Sequence, residues 1–261
     1  SGEIPTLLSQ TGLFTNLSNL TPASGLIEYA PVHPFWSDGT EKRRWVGVPD
    51  AQQVEFTGEG WTFPVGTTAV KHFEINLTEN EPASAHRLET RVLLNTNQGW
   101  LGFTYRWNEN GTDAALLTGR ETETLTINLA EGGTRDQLYE YPSRTACLDC
   151  HTVAAGFTLG LKTPQLNSEF NYSGVVDNQL RSWNNVSMFN ANIGDPGQYK
   201  AFAAPDDTSA TLQARARAYL DVNCSSCHQP EGPANTTLDL RELTSNTAMN
   251  AIEVTPSTGD L

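Results

Sequence analysis

The chain has 261 residues, 38% of them hydrophobic and 18% charged, which is enough for a large core and for two or three modules. Its formal net charge of -14 argues against nucleic acid or anionic lipid as partners and leaves solubility, or a basic partner, as its use. No run approaches the roughly 18 apolar residues of a membrane span. No basic, apolar leader precedes Ser1, so the chain reads either as cytosolic or as an exported protein whose signal has been removed.

The opening "IPTLLSQTGLFTNL" predicts a short helix, with Pro5 in its first turn and Leu7, Leu8 and Phe14 at helix-like spacing. "EYAPVHPFWSDGTEKRRW" is rich in turn formers and aromatics and reads as a packed loop. From about residue 52 to 130 the period becomes two. "TAVKHFEINL" puts Ala69, Phe73, Ile75 and Leu77 on one face and Val70, His72, Glu74 and Asn76 on the other. "RLETRVLLN", "GWLGFTYRW" and "ETLTINL" read as further strands, the second with Leu101, Phe103, Tyr105 and Trp107 on a shared face. Short strands between Gly/Asn turns predict an antiparallel sandwich. Past Tyr141 the strand pattern fades into turn-rich sequence. The clearest helix is "TSATLQARARAYLDVNCSSCH", with Ser209 as candidate N-cap and Leu212, Ala216, Tyr219 and Leu220 as its apolar stripe.

All four cysteines fall in two copies of Cys-x-x-Cys-His: Cys147, Cys150 and His151, then Cys224, Cys227 and His228. A redox dithiol would sit near a βαβ pattern, which is absent from this stretch. A four-cysteine zinc site would join the pairs, but the 73 residues between Cys150 and Cys224 exceed the usual gap and leave both histidines without a purpose. Covalent haem accounts for all six residues. Two thiols add across the porphyrin vinyl groups, and the adjacent imidazole becomes the proximal iron ligand. The expectation is two haems c, one held by Cys147 and Cys150 with His151 on iron, the other by Cys224 and Cys227 with His228. Covalent haem c is attached outside the cytoplasm in bacteria, so a periplasmic or extracellular location follows.

Several segments also resemble a family of exported dihaem c-type cytochromes of marine Gram-negative bacteria, mostly uncharacterised. They are "TGLFTNLSNLTPASGLIEYAPVHPFWSDGTEKRRWV", "FPVGTTAVKHFE", "RLETRVL", "GFTYRWNENGTDAALL", "YPSRTACLDCH", "AAGFTLGLKTPQLN" and "RARAYLDVNCSSCHQPEG", so the resemblance covers nearly the whole chain. It implies a β-rich N-terminal region joined to a cytochrome c region. With the strand pattern, the expectation is a mixed fold: an antiparallel, β-sandwich-like domain with a short N-terminal helix over residues 1–140, without a cofactor of its own over about 30–140, a first haem-binding region over 141–205, and a mainly helical or irregular, cytochrome c-like second haem-binding region over 206–261. It implies no substrate. The chain departs from that family at His33, where asparagine or another residue is usual, and at His86, where arginine is. Relatives also continue past the equivalent of Leu261 into a stretch with a methionine, so the distal ligand that the family pattern suggests for the second haem is missing.

Axial ligands set haem potential, and the spare candidates are His33, His72, His86, Met188 and Met249. His72 is either a surface strand histidine or an imidazole facing a haem on the outer side of the sheet. His33, between Pro31 and Pro34, is either a turn residue or a ligand held in a rigid aromatic loop. We assign His72 to the first haem and His33 to the second, within the chain or from a neighbouring copy. Met188 and Met249 stand in reserve as thioether ligands, or as core fillers. Lys42, Arg43 and Arg44 are a solvated charge run or partners of haem propionates. The functional expectation is electron transfer between redox partner proteins, including the form of a haem-linked polymer in which copies of the chain are each other's partners. A dihaem enzyme of peroxidase or oxidase type, with one open iron, is the alternative.

Overall fold

The strand-forming runs condense into one six-stranded antiparallel sheet. The computed structural model describes residues 3–58 and 60–255. A small ribbon of β1 (Phe14–Asn16) and β2 (Thr21–Pro22) precedes β3 (Leu26–Tyr29) and β4 (Glu41–Gly47). A second ribbon, β5 (Glu55–Phe56) with β6 (Trp61–Thr62), comes before the long strands β7 (Thr68–Asn76), β8 (Ala85–Thr96) and β9 (Gly99–Trp107), and the short β10 (Ala114–Leu116). The sheet order is β10-β9-β8-β7-β4-β3. The hairpin β11 (Glu121–Asn128) with β12 (Thr134–Tyr141) stands apart from it as a two-stranded sheet.

The period-two reading of the long strands holds, but both faces of the central strands are covered. One face carries Trp45, Val70, Val92, Phe103, Tyr105 and Trp107, packed under Leu8, Phe14 and Leu20 of the N-terminal segment. The other face is divided along the strands. At one end Phe73 and Ile75 pack beneath Leu125, Ile127, Tyr139 and Tyr141 of the β11–β12 hairpin. At the other, Val46 and Leu93 join Trp61, Trp183 and Phe189. Fully burying one such aromatic side chain contributes about 1.5–3 kcal/mol, so three separate clusters clamp one sheet. The second layer is this hairpin together with the chain after Tyr141, so the architecture is strand-rich and antiparallel.

Residues 141–205 do not form a module with a core of their own. They add the turn α1 (Cys147–Cys150), α2 (Thr163–Leu166), the hairpin β13 (Glu169–Tyr172) with β14 (Val175–Asn178), and α3 (Gln179–Asn185). Asn178 caps α3, its side chain accepting from the Leu180 N–H at 2.9 Å, a local satisfaction of helix-end donors. Leu161, Leu166, Leu180 and Trp183 of this stretch share a core with Tyr29, Val46 and Leu93 of the sheet.

Two helix expectations are corrected. The opening segment forms a single 3-10 turn, Leu8–Thr11, because Leu8 and Phe14 are drawn onto the sheet while Leu7 stays exposed. The late helix α4 (Leu212–Asn223) exists, but Thr211 caps it, accepting from the Ala214 N–H at 3.1 Å, while Ser209 binds Asp207 in the preceding turn. Its expected apolar stripe is largely at the surface: Leu212 is 74% and Tyr219 50% exposed. The buried residues are Arg217, Ala218 and Asp221. Arg217 donates to the carbonyls of Arg241, Glu242 and Thr244 and to Met249 Sδ, and Asp221 accepts from Lys162 and the Glu242 N–H. A polar network, not a hydrophobic face, seats this helix. Buried polar groups that are satisfied in this way tie the helix to one set of partners.

Candidate functional site

Both Cys-x-x-Cys-His clusters fold as one helical turn. In the first, the His151 N–H donates to the Cys147 carbonyl at 3.1 Å; in the second, which continues α4, the His228 N–H donates to the Cys224 carbonyl at 2.9 Å. Positions i, i+3 and i+4 share a face of such a turn, so each cluster presents two thiols and an imidazole on one side. All four thiols are free. Burial pushes the Cys147, Cys150 and Cys224 thiols up, and for Cys150 the neighbouring Cys227 adds to the effect. Among the described residues no group of three or more His, Cys, Asp or Glu is placed to hold a metal ion.

A cavity of about 710 Å³ lies over the middle of the sheet, within the roughly 300–1,000 Å³ of sites that enclose a ligand. Cys147, Cys150 and His151 line it on one side, and Ser225, Ser226 and Gln229 approach from the second motif. The sheet side carries Arg44, Lys71 and Arg91, which stand directly opposite one another on β4, β7 and β8. Lys71 opens to the cavity but is otherwise shut in. Burial, and then Arg44, Arg91 and Lys42, hold its ammonium well below the ordinary lysine range.

The His151 ring is held in one tautomer. Its Nδ1 meets the Phe157 carbonyl. A carbonyl can only accept, so the proton sits on Nδ1 and the lone pair on Nε2, the arrangement that metal-bound histidines adopt. Burial also lowers its pKa, favouring the neutral ring. Gly102 on β9 lies against the first cysteine: a Cβ there would fall 2.6 Å from Cys147 Cβ and 2.7 Å from its Sγ. These residues fit a porphyrin fixed through Cys147 and Cys150 with its iron on His151 Nε2. The second motif has the same turn without the same setting. Cys224, Cys227 and His228 are not among the cavity residues, and His228 Nδ1 is buried with no hydrogen-bond partner.

The structure separates the other candidates. His72 is fully buried, not a surface residue, and it points away from the cavity. Its Nδ1 shares a hydrogen bond with the Thr90 hydroxyl at 2.9 Å, and its ring packs edge-on against Trp107. The sheet itself therefore stands between His72 and the first motif, so the assignment of His72 to the first haem is corrected. His33 does line the cavity, in company with the first motif. Its Nε2 is engaged by the Ala203 carbonyl, and Gln165 clamps its backbone at both N–H and C=O. At 1% exposure it is closed to a neighbouring copy. Met188 fills the aromatic core, and Met249 Sδ is held by Arg217 at 2.9 Å. Of the basic run, Arg43 turns to the far face and pairs with Glu28 at 2.7 Å, whereas Lys42 and Arg44 share the cavity face with Lys71 and Arg91.

No family model, curated protein or solved structure matches the chain. Sequence reasoning missed Lys71, Arg91 and the Phe157 carbonyl. The two cations lie 20 residues apart on different strands, and only the strand register that pairs them makes them neighbours. No helix among the described residues is long and apolar enough to cross a membrane.

Proposed function

We propose that the chain is a dihaem c-type cytochrome that carries electrons between redox partners outside the cytoplasm, in the periplasm or beyond the cell. The observation that carries this reading is His151, with Nδ1 committed to the Phe157 carbonyl beside a cavity lined by Cys147 and Cys150. Haem bound there supplies a one-electron couple. The chain's own residues fix the ring through two thiols, orient the imidazole and keep water from most of the macrocycle. The acidic surface, -14 overall, suits a basic partner and fast, salt-sensitive encounter. A haem-linked polymer needs an iron ligand other than His33, which a neighbouring copy cannot reach.

The test is the mass of the denatured protein after maturation in a host that attaches haem c. Two added haems are expected. A mass near the bare 28.5 kDa overturns the reading. The enzymatic alternative is favoured by one feature, the commitment of His33 Nε2 to a carbonyl, which leaves the cavity without a free imidazole opposite His151. Stoichiometric cyanide or carbon monoxide binding at one haem selects the enzyme; refusal of both ligands selects the electron carrier.

A further inference from the structure

The cavity face of the sheet holds five cations, Lys42, Arg44, Lys71, Arg91 and Arg106, against one carboxylate, Glu89; Arg106 is paired with Glu121 and Glu123 of the hairpin. Glu89 is bound to Arg91 and accepts from the Tyr139 hydroxyl. Arg44 is 8% exposed and makes no ion pair among the described residues. Its one hydrogen bond there is a long one, 3.5 Å to the Lys42 carbonyl. Lys71 makes none, and Arg91 Nε is buried without a partner. Like charges directly opposite on neighbouring strands repel, and buried charges persist only when paired. The Phe73 ring lies under Lys42, Lys71 and Arg91 at 5.9, 5.0 and 4.5 Å, and the Phe35 ring under Lys71 at 5.4 Å, but an aromatic face offsets only a small part of what a buried charge loses on leaving water. The two carboxylates on the opposite wall of the cavity, Asp221 and Glu242, are held by Lys162 and Lys200, so among the described residues neither Arg44 nor Lys71 has a paired acid.

We infer that Arg44, Lys71 and Arg91 form an anion site for a pair of carboxylates, and that these are the two propionates of the porphyrin fixed at Cys147 and Cys150. The inference rests on the haem reading for its ligand but not for the site. Guanidinium and ammonium groups match carboxylates as charge-assisted donors, and Arg44 has its donors to spare. Propionates have a rival source in the same chemistry, a diffusible dicarboxylate entering the cavity.

The experiment uses the haem-loaded full chain and three charge-removing variants: Arg44→Gln, Lys71→Gln and, on the surface hairpin, Arg120→Gln. The readout is the reduction potential of the haem on His151, with intact mass recorded on the same samples. The reduced haem carries one more negative charge than the oxidised one, so removing a nearby cation costs the reduced form more and the potential falls. The expected shift is about tenfold in the reduction equilibrium, near 59 mV, for each of Arg44→Gln and Lys71→Gln, and much less for Arg120→Gln. Should Arg44→Gln not accumulate, Lys71→Gln decides alone. Equal potentials in all variants overturn the inference. Succinate titration supplies the second arm. If succinate raises the melting temperature of the haem-loaded protein and Arg44→Gln or Lys71→Gln abolishes the rise, the site takes a diffusible dicarboxylate and the propionate assignment falls. If mass shows no haem yet succinate still protects, the haem reading fails and the anion site stands.

Discussion

At Cys147–His151 the helical turn opens onto a cavity, its imidazole is oriented by the Phe157 carbonyl, and a row of cations faces it across the space. At Cys224–His228 a similar turn follows α4, half-buried; Ser225 and Ser226 reach the cavity, but the two cysteines and His228 are not among its lining residues, and His228 Nδ1 is unpartnered. The same five-position pattern, Cys-x-x-Cys-His, stands in both. What differs is everything contributed by other parts of the chain. The contrast teaches that the same five-residue pattern folds into the same turn in both places, while the pocket, the tautomer and the facing charges are supplied by segments remote in sequence.

The sharpest way to break this contrast is to remove the thiols pairwise. Cys147→Ser with Cys150→Ser is expected to cost one haem and about 3–5 kcal/mol of stability, because it leaves the buried cations uncompensated. Cys224→Ser with Cys227→Ser is expected to cost the other haem and clearly less stability. Urea denaturation of both double variants, with intact masses, checks this; equal losses would erase the distinction.

Glycines sharpen it. A Cβ on Gly232 would fall 2.3 Å from the Cys227 carbonyl oxygen, whereas a Cβ on Gly102 meets the Cys147 side chain. Gly232→Ala is expected to cost about 1–3 kcal/mol and to lower haem attachment at the second motif only. Gly102→Ala is expected to lower it at the first only. Peptide-level mass analysis after digestion reads both. Arg217→Ala strips donors from three carbonyls and from Met249. It is expected to cost a further about 1–3 kcal/mol, with hydrogen-exchange protection lost around 239–250 and retained in the sheet.

The smallest effect is a titration. Burial lowers the pKa of His72, so the folded ring stays neutral where the unfolded one protonates. The stability this confers is present above the ordinary histidine pKa near 6.5 and is lost as pH falls below it, by at most about 1.4 kcal/mol per pH unit. His72→Gln is expected to flatten that part of the stability profile. A curve unchanged by the substitution would show that His72 is not buried as described.

Much of the β region was legible. The alternation in "TAVKHFEINL" and "GWLGFTYRW" assigns the two faces correctly, because a strand's side-chain period is independent of its neighbours. The N-terminal helix was not legible, because Leu8 and Phe14 gain more by packing on Trp45 and its surroundings than a short helix gains by its own hydrogen bonds. The apolar stripe of α4 misled for a related reason: Arg217 and Asp221 have partners at 241–249 and at Lys162 that no local pattern encodes.

The sequence by itself determined the long strands and the two Cys-x-x-Cys-His patterns, since each depends on residues within one or two turns of chain. Only the tertiary structure decided that His72 lies behind the sheet, that His33 is shut inside beside the first motif, and that Arg44, Lys71 and Arg91 meet across three strands. Those facts depend on strand register and on which segment covers which face. Both are set by the packing of residues tens to more than a hundred positions apart, so local pattern carries no trace of them.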